Sequence, residues 1–253
     1  NELRIGVERE GVNFFNGAID NVRIYNRALS TNEVFQLYAN EAKTFLTDGL
    51  VAYFPFNGNA NDASGNGHNA TAQNTFITTN QFGQANSALG FSGNGFVSVP
   101  YSPALATTNF TVSLVFNAQA SFNTFCLLRS GGASSDFYRG YELNSMDGQA
   151  NFGFWAFDGT PSYGADKCVT PIGNWQQDMW YHLTFTQSGL NSTLYLNGVV
   201  IAANTNSTPY APAQSSDFFI GSNTGFEFLT GIICDVRFYN RGLSSSEVQQ
   251  LHD

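Results

Sequence analysis

Residues 231–251 read GIICDVRFYNRGLSSSEVQQL, and residues 17–37 read GAIDNVRIYNRALSTNEVFQL. The segments align without a gap at a constant offset of 214. Gly17, Val22, Arg23, Tyr25, Asn26 and Arg27 recur as Gly231, Val236, Arg237, Tyr239, Asn240 and Arg241. Leu29, Ser30, Glu33, Val34 and Leu37 recur as Leu243, Ser244, Glu247, Val248 and Leu251. Identity held at one fixed period marks a repeated structural unit. In the second copy Ile232, Cys234, Val236 and Phe238 alternate with Ile233, Asp235, Arg237 and Tyr239. That period of two predicts a strand with one wholly apolar face, so Cys234 is expected in the core beside Val236 and Phe238. Ser244 and Ser30 each stand three residues before a glutamate, Glu247 and Glu33. Such a pair forms a capping box, in which the serine accepts from a free helix N–H and the glutamate reaches back to the cap. A short helix follows, with Val248 and Leu251 on its apolar side. Each copy is therefore read as strand, turn and closing helix.

Working outward, the first copy ends near Ala42, a linker runs over 43–48, and residues 49–253 form a complete domain. Residues 1–42 are read as the last strands and closing helix of an upstream domain of the same kind. Such a fragment leaves a core face and a sheet edge to be covered by the main domain, another segment or another chain. Between the copies, short apolar or alternating runs occur at 50–56, 87–91, 95–99, 109–117, 123–129, 136–144, 150–158, 180–186, 192–197, 199–203, 216–220 and 230–239. Gly, Asn and Ser separate them, and Asn197-Gly198 between two runs predicts a type I′ hairpin. Many short strands and few helices mean an all-β, two-sheet sandwich of the jelly-roll kind with a short C-terminal helix.

Composition agrees. Aromatics make up 15% of the 253 residues and charged residues only 11%, and the formal net charge is −9. An acidic surface disfavours nucleic acid, and no apolar run reaches the ~20 residues of a membrane-spanning helix. The three cysteines, Cys126, Cys168 and Cys234, match no metal spacing. One disulfide with a free thiol and three buried thiols both remain open.

Four segments carry a family resemblance: GLVAYFPFNGNANDASGNGHNAT (49–71), ALGFSGNGFVSVP (88–100), WYHLTFTQSGLNSTLYLNGVVIA (180–202) and DVRFYNRGLSSSEVQQL (235–251). Together they resemble bacterial laminin-G-like domains of the concanavalin-A-like lectin/glucanase superfamily, which occur in tandem copies. The resemblance implies a secreted or cell-surface module that binds a polysaccharide or other glycan and carries one calcium ion. It also implies that Trp180 is a core residue.

Residues 57–69, NGNANDASGNGHN, offer hard oxygen ligands of the type calcium takes. The same residues also suit a turn held by Asp62. The resemblance favours calcium, with Asn57, Gly58, Asp62, Asn66 and Asp235 as the expected ligand set. Relatives place an aspartate where the first copy has Asp20, and the second copy has Cys234 there with the carboxylate one step on, at Asp235.

For a glycan, exposed aromatic faces and fixed polar groups are needed. The densest region is 136–163, DFYRGYELNSMDGQANFGFWAFDGTPSY. Phe152 and Phe154 fall on one face of its strand, Trp155 and Phe157 on the other, so one pair is core and the other open to a ligand. The expected carbohydrate-binding residues are Trp155, Phe157, Tyr138, Arg139 and Asp158, with Trp175 as a second platform. No catalytic residues are expected, because no clustered acids of the glycosidase kind, nucleophile elbow or zinc motif occurs in the linear sequence. A non-catalytic lectin-like module is the first reading. The second is an adhesive module that assembles with neighbouring domains or subunits through residues 1–42 by strand addition.

Overall fold

A computed structural model describes residues 3–9, 12–17, 19, 22–30, 33–34, 46–119, 124–131, 138–145, 151–157, 159, 165–170, 173, 175–205 and 211–253. The chain divides into two compact units, Asn1–Glu41 and Ala42–Asp253.

In the first unit β1 (Val7–Arg9) pairs with β2 (Val12–Phe14), Val7 opposite Phe14. Residues 22–25, expected as a strand, have no strand pairing. The cap beyond them does form. Ser30 N–H donates to Glu33 Oε2 at 2.8 Å, Glu33 N–H donates to Ser30 Oγ at 3.3 Å, and the Arg27 guanidinium donates to the same carboxylate.

Among its described residues the second unit is built of β-strands and ends on a closing helix. Its strands are β3 (Leu50–Phe54), β4 (Thr71–Thr78), β5 (Ala88–Val99), β6 (Phe110–Ala118) and β7 (Phe125–Ser130). They continue as β8 (Tyr141–Ser145), β9 (Phe152–Ala156), β10 (Ala165–Val169), β11 (Trp180–Ser188), β12 (Asn191–Leu196), β13 (Val199–Thr205), β14 (Phe218–Ile220) and β15 (Thr230–Tyr239). All pairings are antiparallel, in the order β10-β9-β8-β7-β14-β5-β15-β6-β11-β12-β13, with β3 added on β15 and β4 on β5. The sheet curls back on itself. Phe154 of β9 stacks on Phe185 of β11 with ring centroids 3.3 Å apart, and Phe110 of β6 on Tyr141 of β8 at 4.5 Å, although these strands lie far apart in the ladder. Two layers thus face each other across an aromatic core, as a jelly-roll sandwich requires. Asn197 and Gly198 have φ of 50° and 76°, the two left-handed residues of the predicted I′ turn.

β4 and β10 were not legible as strands. β4, TAQNTFIT, pairs only with β5 and is largely exposed, so it lacks the apolar alternation that marks a half-buried strand.

β15 corrects one expectation. Its register on β6 slips between Cys234 and Arg237, and Asp235 takes a φ of 53°. This is a β-bulge, and the extra residue shifts the period of two by one. Ile233, Val236 and Phe238 therefore point into the main core. Cys234 faces the other way, into a small outer cluster with Ala88 and Val115, against which the half-exposed Trp180 and Ile232 pack. Neither Cys234 nor Trp180 belongs to the main core. Cys126 and Cys234 are buried free thiols.

Helix α1 (Ser245–His252) closes the unit with the predicted capping box: Ser244 accepts from Glu247 N–H, and Ser244 N–H donates back to Glu247 Oε2 at 2.7 Å. Val248 is its buried anchor, packed with Tyr195, Tyr239 and Leu243.

Candidate functional site

Strands β7, β8 and β9 carry alternating faces. Tyr141, Leu143, Phe152 and Phe154 enter the core. Between them Glu142 lies opposite Arg129 on one side and Trp155 on the other. β14 extends the row with Phe219 opposite Arg129. This outer row is polar and aromatic.

One hydrogen-bonded network holds it. The Trp155 indole Nε1–H donates to Asn144 Oδ1 at 3.1 Å, and Asn144 Nδ2 donates to Glu142 Oε1 at 3.0 Å. Glu142 Oε2 accepts from Arg129 Nη1 at 3.3 Å and from Asn223 Nδ2 at 3.1 Å. Asn223 Nδ2 also reaches Glu227 Oε2 at 3.3 Å. The Arg129 guanidinium sits 4.5 Å over the Phe157 ring, a cation–π contact. Burial pushes the Glu142 carboxyl up to about 7 against the pull of Arg129, and the neighbouring Glu227 carboxyl adds to the rise. Asn223 and Glu227 come from the loop between β14 and β15, where Thr224 and Glu227 hold φ of 44° and 51°. Left-handed backbone at non-glycine residues is costly and clusters at sites whose surroundings dictate it. Phe226 stands exposed at that loop's tip.

The structure brings Trp155 and Phe157 to this face together, as the alternation predicts. Tyr138 and Arg139 lie at its margin: Gly159 N–H donates to Tyr138 O at 2.8 Å, and Phe157 N–H donates to Gly140 O at 3.1 Å. Asp158 lies outside the described residues. Trp175 is a correction. It is 2% exposed, edge-on to Phe125 and packed on Phe152, so its rings are core and offer no face to a ligand. The sequence reading missed Arg129, Glu142, Asn144, Asn223 and Glu227. A signal existed for two of them: in YELNS the polar Glu142 and Asn144 alternate with core residues.

Of the predicted calcium ligands, Asn57 and Asp235 line one recess, but Asp62 and Asn66 are spent within the turn. Asp62 Oδ1 accepts from Tyr53 N–H and Ser64 N–H at 2.9 and 2.8 Å, and Oδ2 accepts from Ser64 Oγ and His68 N–H at 2.9 Å each. Four donors fill the four lone-pair directions of a carboxylate. Burial works against the charge, but these donors hold the Asp62 pKa below its ordinary value. Asn66 spends its amide on the Leu50 and Val51 carbonyls, Asn57 is exposed, and Gly58 takes a φ of 79° in the turn. Asp235 is ion-paired to Arg237 at 2.9 Å. The loop is thus a turn built around Asp62, and the residues do not fit a calcium ion. Among the described residues no three His, Cys, Asp or Glu side chains group as a metal site would need.

A laminin-G-like family model, described as the concanavalin A-like lectin/glucanases superfamily, matches residues 1–35 and 91–249. Among solved structures, domain 4 of AbnA, a GH43 extracellular arabinanase from Geobacillus stearothermophilus, in complex with arabinotriose, superposes with a TM-score of 0.66. Its sequence is 19% identical, and the match covers 81% of this chain and 98% of that one. The botulinum neurotoxin serotype D ligand binding domain in complex with N-acetylneuraminic acid superposes with a TM-score of 0.65 at 16% identity, covering 83% of this chain and 52% of that one. This chain therefore spans about half the length of that toxin chain. At such identities the likeness establishes the fold alone. No curated protein matches the chain. Among the described residues no helix is long and apolar enough to cross a membrane.

Proposed function

The chain belongs to the laminin-G-like family of the concanavalin A-like superfamily, and from that premise we propose that it is a non-catalytic carbohydrate-binding module of a secreted or cell-surface protein. Its ligand face is the outer row of β7, β8 and β9. The observation that carries this is the network running from the Trp155 indole through Asn144 to Glu142. It fixes the half-buried Trp155 ring in one orientation, the aromatic face a sugar ring stacks on, with the buried Arg129, Glu142 and Asn144 acting as its support. The Arg129–Phe157 stacking contact and the Asn223–Glu142 hydrogen bond lock the same row, so little side-chain freedom is lost on binding. The sugars present in the two structural neighbours, arabinotriose and N-acetylneuraminic acid, favour a glycan over a protein ligand.

The non-catalytic reading is supported by how the acidic pair is held. Glu142 and Glu227 both accept from the one Asn223 Nδ2. Glycoside hydrolysis requires two carboxyls about 5 Å or more apart, flanking the scissile bond, whereas here both carboxyls are tied to one amide and Glu142 is buried.

A glycan array on the full chain, followed by calorimetry on the tightest hit, tests the reading. Trp155→Ala should weaken that binding at least about tenfold, the effect of losing one stacking face, with the fold retained. Undiminished binding in the variant would remove this face from the site. Release of reducing sugar would overturn the non-catalytic assignment.

A further inference from the structure

A second concavity lies away from the Trp155 row. A cleft of about 390 Å³ opens between β11, the β12–β13 turn, α1 and the 80–84 loop, with Trp180, His182, Asn197, His252 and Phe82 in its wall. A recess of about 210 Å³ adjoins it, shares Gln81, Phe82 and Asp235 with it, and adds Asn57 and Asn80. The larger volume falls in the range of small-ligand sites.

Three observations say what it would hold. Phe82 is 76% exposed, yet it is not on a loose loop. Asn80 Oδ1 accepts from Phe82 N–H and Gln84 N–H at 3.0 and 3.1 Å, and Gly83 N–H donates to Asn80 O at 3.1 Å. A tight turn thus holds an aromatic face in water at the rim of a cleft. Next, His182 is 7% exposed, its Nε2 is bonded to Ser113 Oγ at 2.6 Å, and its Nδ1 has no hydrogen-bond partner. A buried polar atom left so is uncommon and points to a missing partner. Burial, with His252 beside it, drives the imidazole down to about 3, so this ring is neutral. Last, the wall offers amides and a carboxylate. Asp235 stands where the two recesses meet, and the nearby Arg237 is already ion-paired to it and lies 4.7 Å over the Tyr53 ring. An anion would meet the Asp235 charge, whereas hydroxyls would meet amides and an aromatic face.

We propose that this cleft is a second carbohydrate subsite, separate from the Trp155 face, that takes a neutral oligosaccharide. It deepens the carbohydrate-binding reading but does not depend on where the first site lies. Two sites on one module raise avidity for a repeating polymer without any new contact at either.

Two-dimensional ¹⁵N–¹H NMR titration of the full chain tests it. The neutral probes are arabinotriose, xylotetraose and cellotetraose, and N-acetylneuraminic acid is the charged control. At least one neutral probe should shift the backbone amides of residues 80–84 and the Trp180 indole N–H. Phe82→Ala should weaken that response at least about tenfold, and Trp155→Ala should leave it unchanged. The exposed position of Phe82 makes its replacement harmless to the fold, which the rest of the spectrum checks. Shifts confined to the Trp155 row would overturn the subsite and keep the first site. Equal affinity in Phe82→Ala, a response at 80–84 only to the charged control, or silence at 80–84 with every neutral probe would also overturn it. Shifts at 80–84 alone would support the subsite and count against the Trp155 face.

Discussion

Val236, Phe238 and Val248 are 0%, 3% and 0% exposed, whereas Val22, Ile24 and Val34, their counterparts in the first copy, are 51%, 68% and 54% exposed. Around the second copy, β3 pairs along Val236–Tyr239, Phe54 meets Phe238 edge-on, and Phe218 does the same at 4.6 Å. Residues 22–25 have no ladder partner and form no strand. The turn and cap, in contrast, form in both copies. Arg241 and Ser244 hold Glu247 as Arg27 and Ser30 hold Glu33. Hydrogen bonds between residues three to six apart need only the local chain, and a strand needs a neighbour.

The largest test of that difference is in the cores. Phe238→Ala should cost about 3–5 kcal/mol of unfolding free energy. Ile24→Ala should cost less than about 0.5 kcal/mol. Urea denaturation of each variant measures both, and equal losses would break the comparison. Next, Cys234→Asp places in the second copy the residue type that the first copy carries as Asp20. The site is 2% exposed and beside Asp235, so a carboxylate there should cost about 3 kcal/mol. Millimolar calcium should not restore it, because the Asp62 lone pairs are already filled; recovery of the melting temperature with calcium would reverse that conclusion.

A smaller effect is expected at the caps. Ser244→Ala should lower stability by about 1 kcal/mol, while Ser30→Ala should leave the main unfolding transition where it is, because its helix start lies outside the large core. The smallest expected effect is in acid. The Arg27 hydrogen bond, with Ser30, holds Glu33 down at about 2. Burial opposes the charge on Glu247, but Arg241 and Ser244 still hold it below its ordinary value. A depressed carboxyl contributes stability above its unfolded pKa, and that contribution is lost as pH falls through the folded pKa. As pH falls below about 4.5, the wild type should therefore lose more stability than Glu247→Gln. An identical acid slope in the two proteins would show that the cap does not couple to the fold.

Much of the fold was legible. Alternation at 50–54, 110–118 and 180–186 marked real strands, Asn197-Gly198 marked a real hairpin, and Ser244 with Glu247 marked the closing helix. These signals are local, and each has one dominant physical cause. The polar edge strand β4 was not legible, because nothing in its pattern distinguishes an exposed strand from a loop. At the site, alternation placed Trp155 and Phe157 on the face opposite Phe152 and Phe154, but it could not place Trp175, whose core position depends on Phe125 and Phe152 meeting it.

By itself, then, the sequence determined the class of fold, the position of the closing helix and the two faces of β9, since periodicity and capping depend on neighbours within a few residues. Tertiary structure decided the rest. The bulge at Asp235 turned Cys234 out of the main core, because register is set by the paired strand β6. Glu142, Asn223 and Glu227 met only once the β14–β15 loop was laid against β8. The same motif became a buried strand in one copy and an exposed segment in the other, because burial is a property of what surrounds a residue and is not encoded in the residue alone.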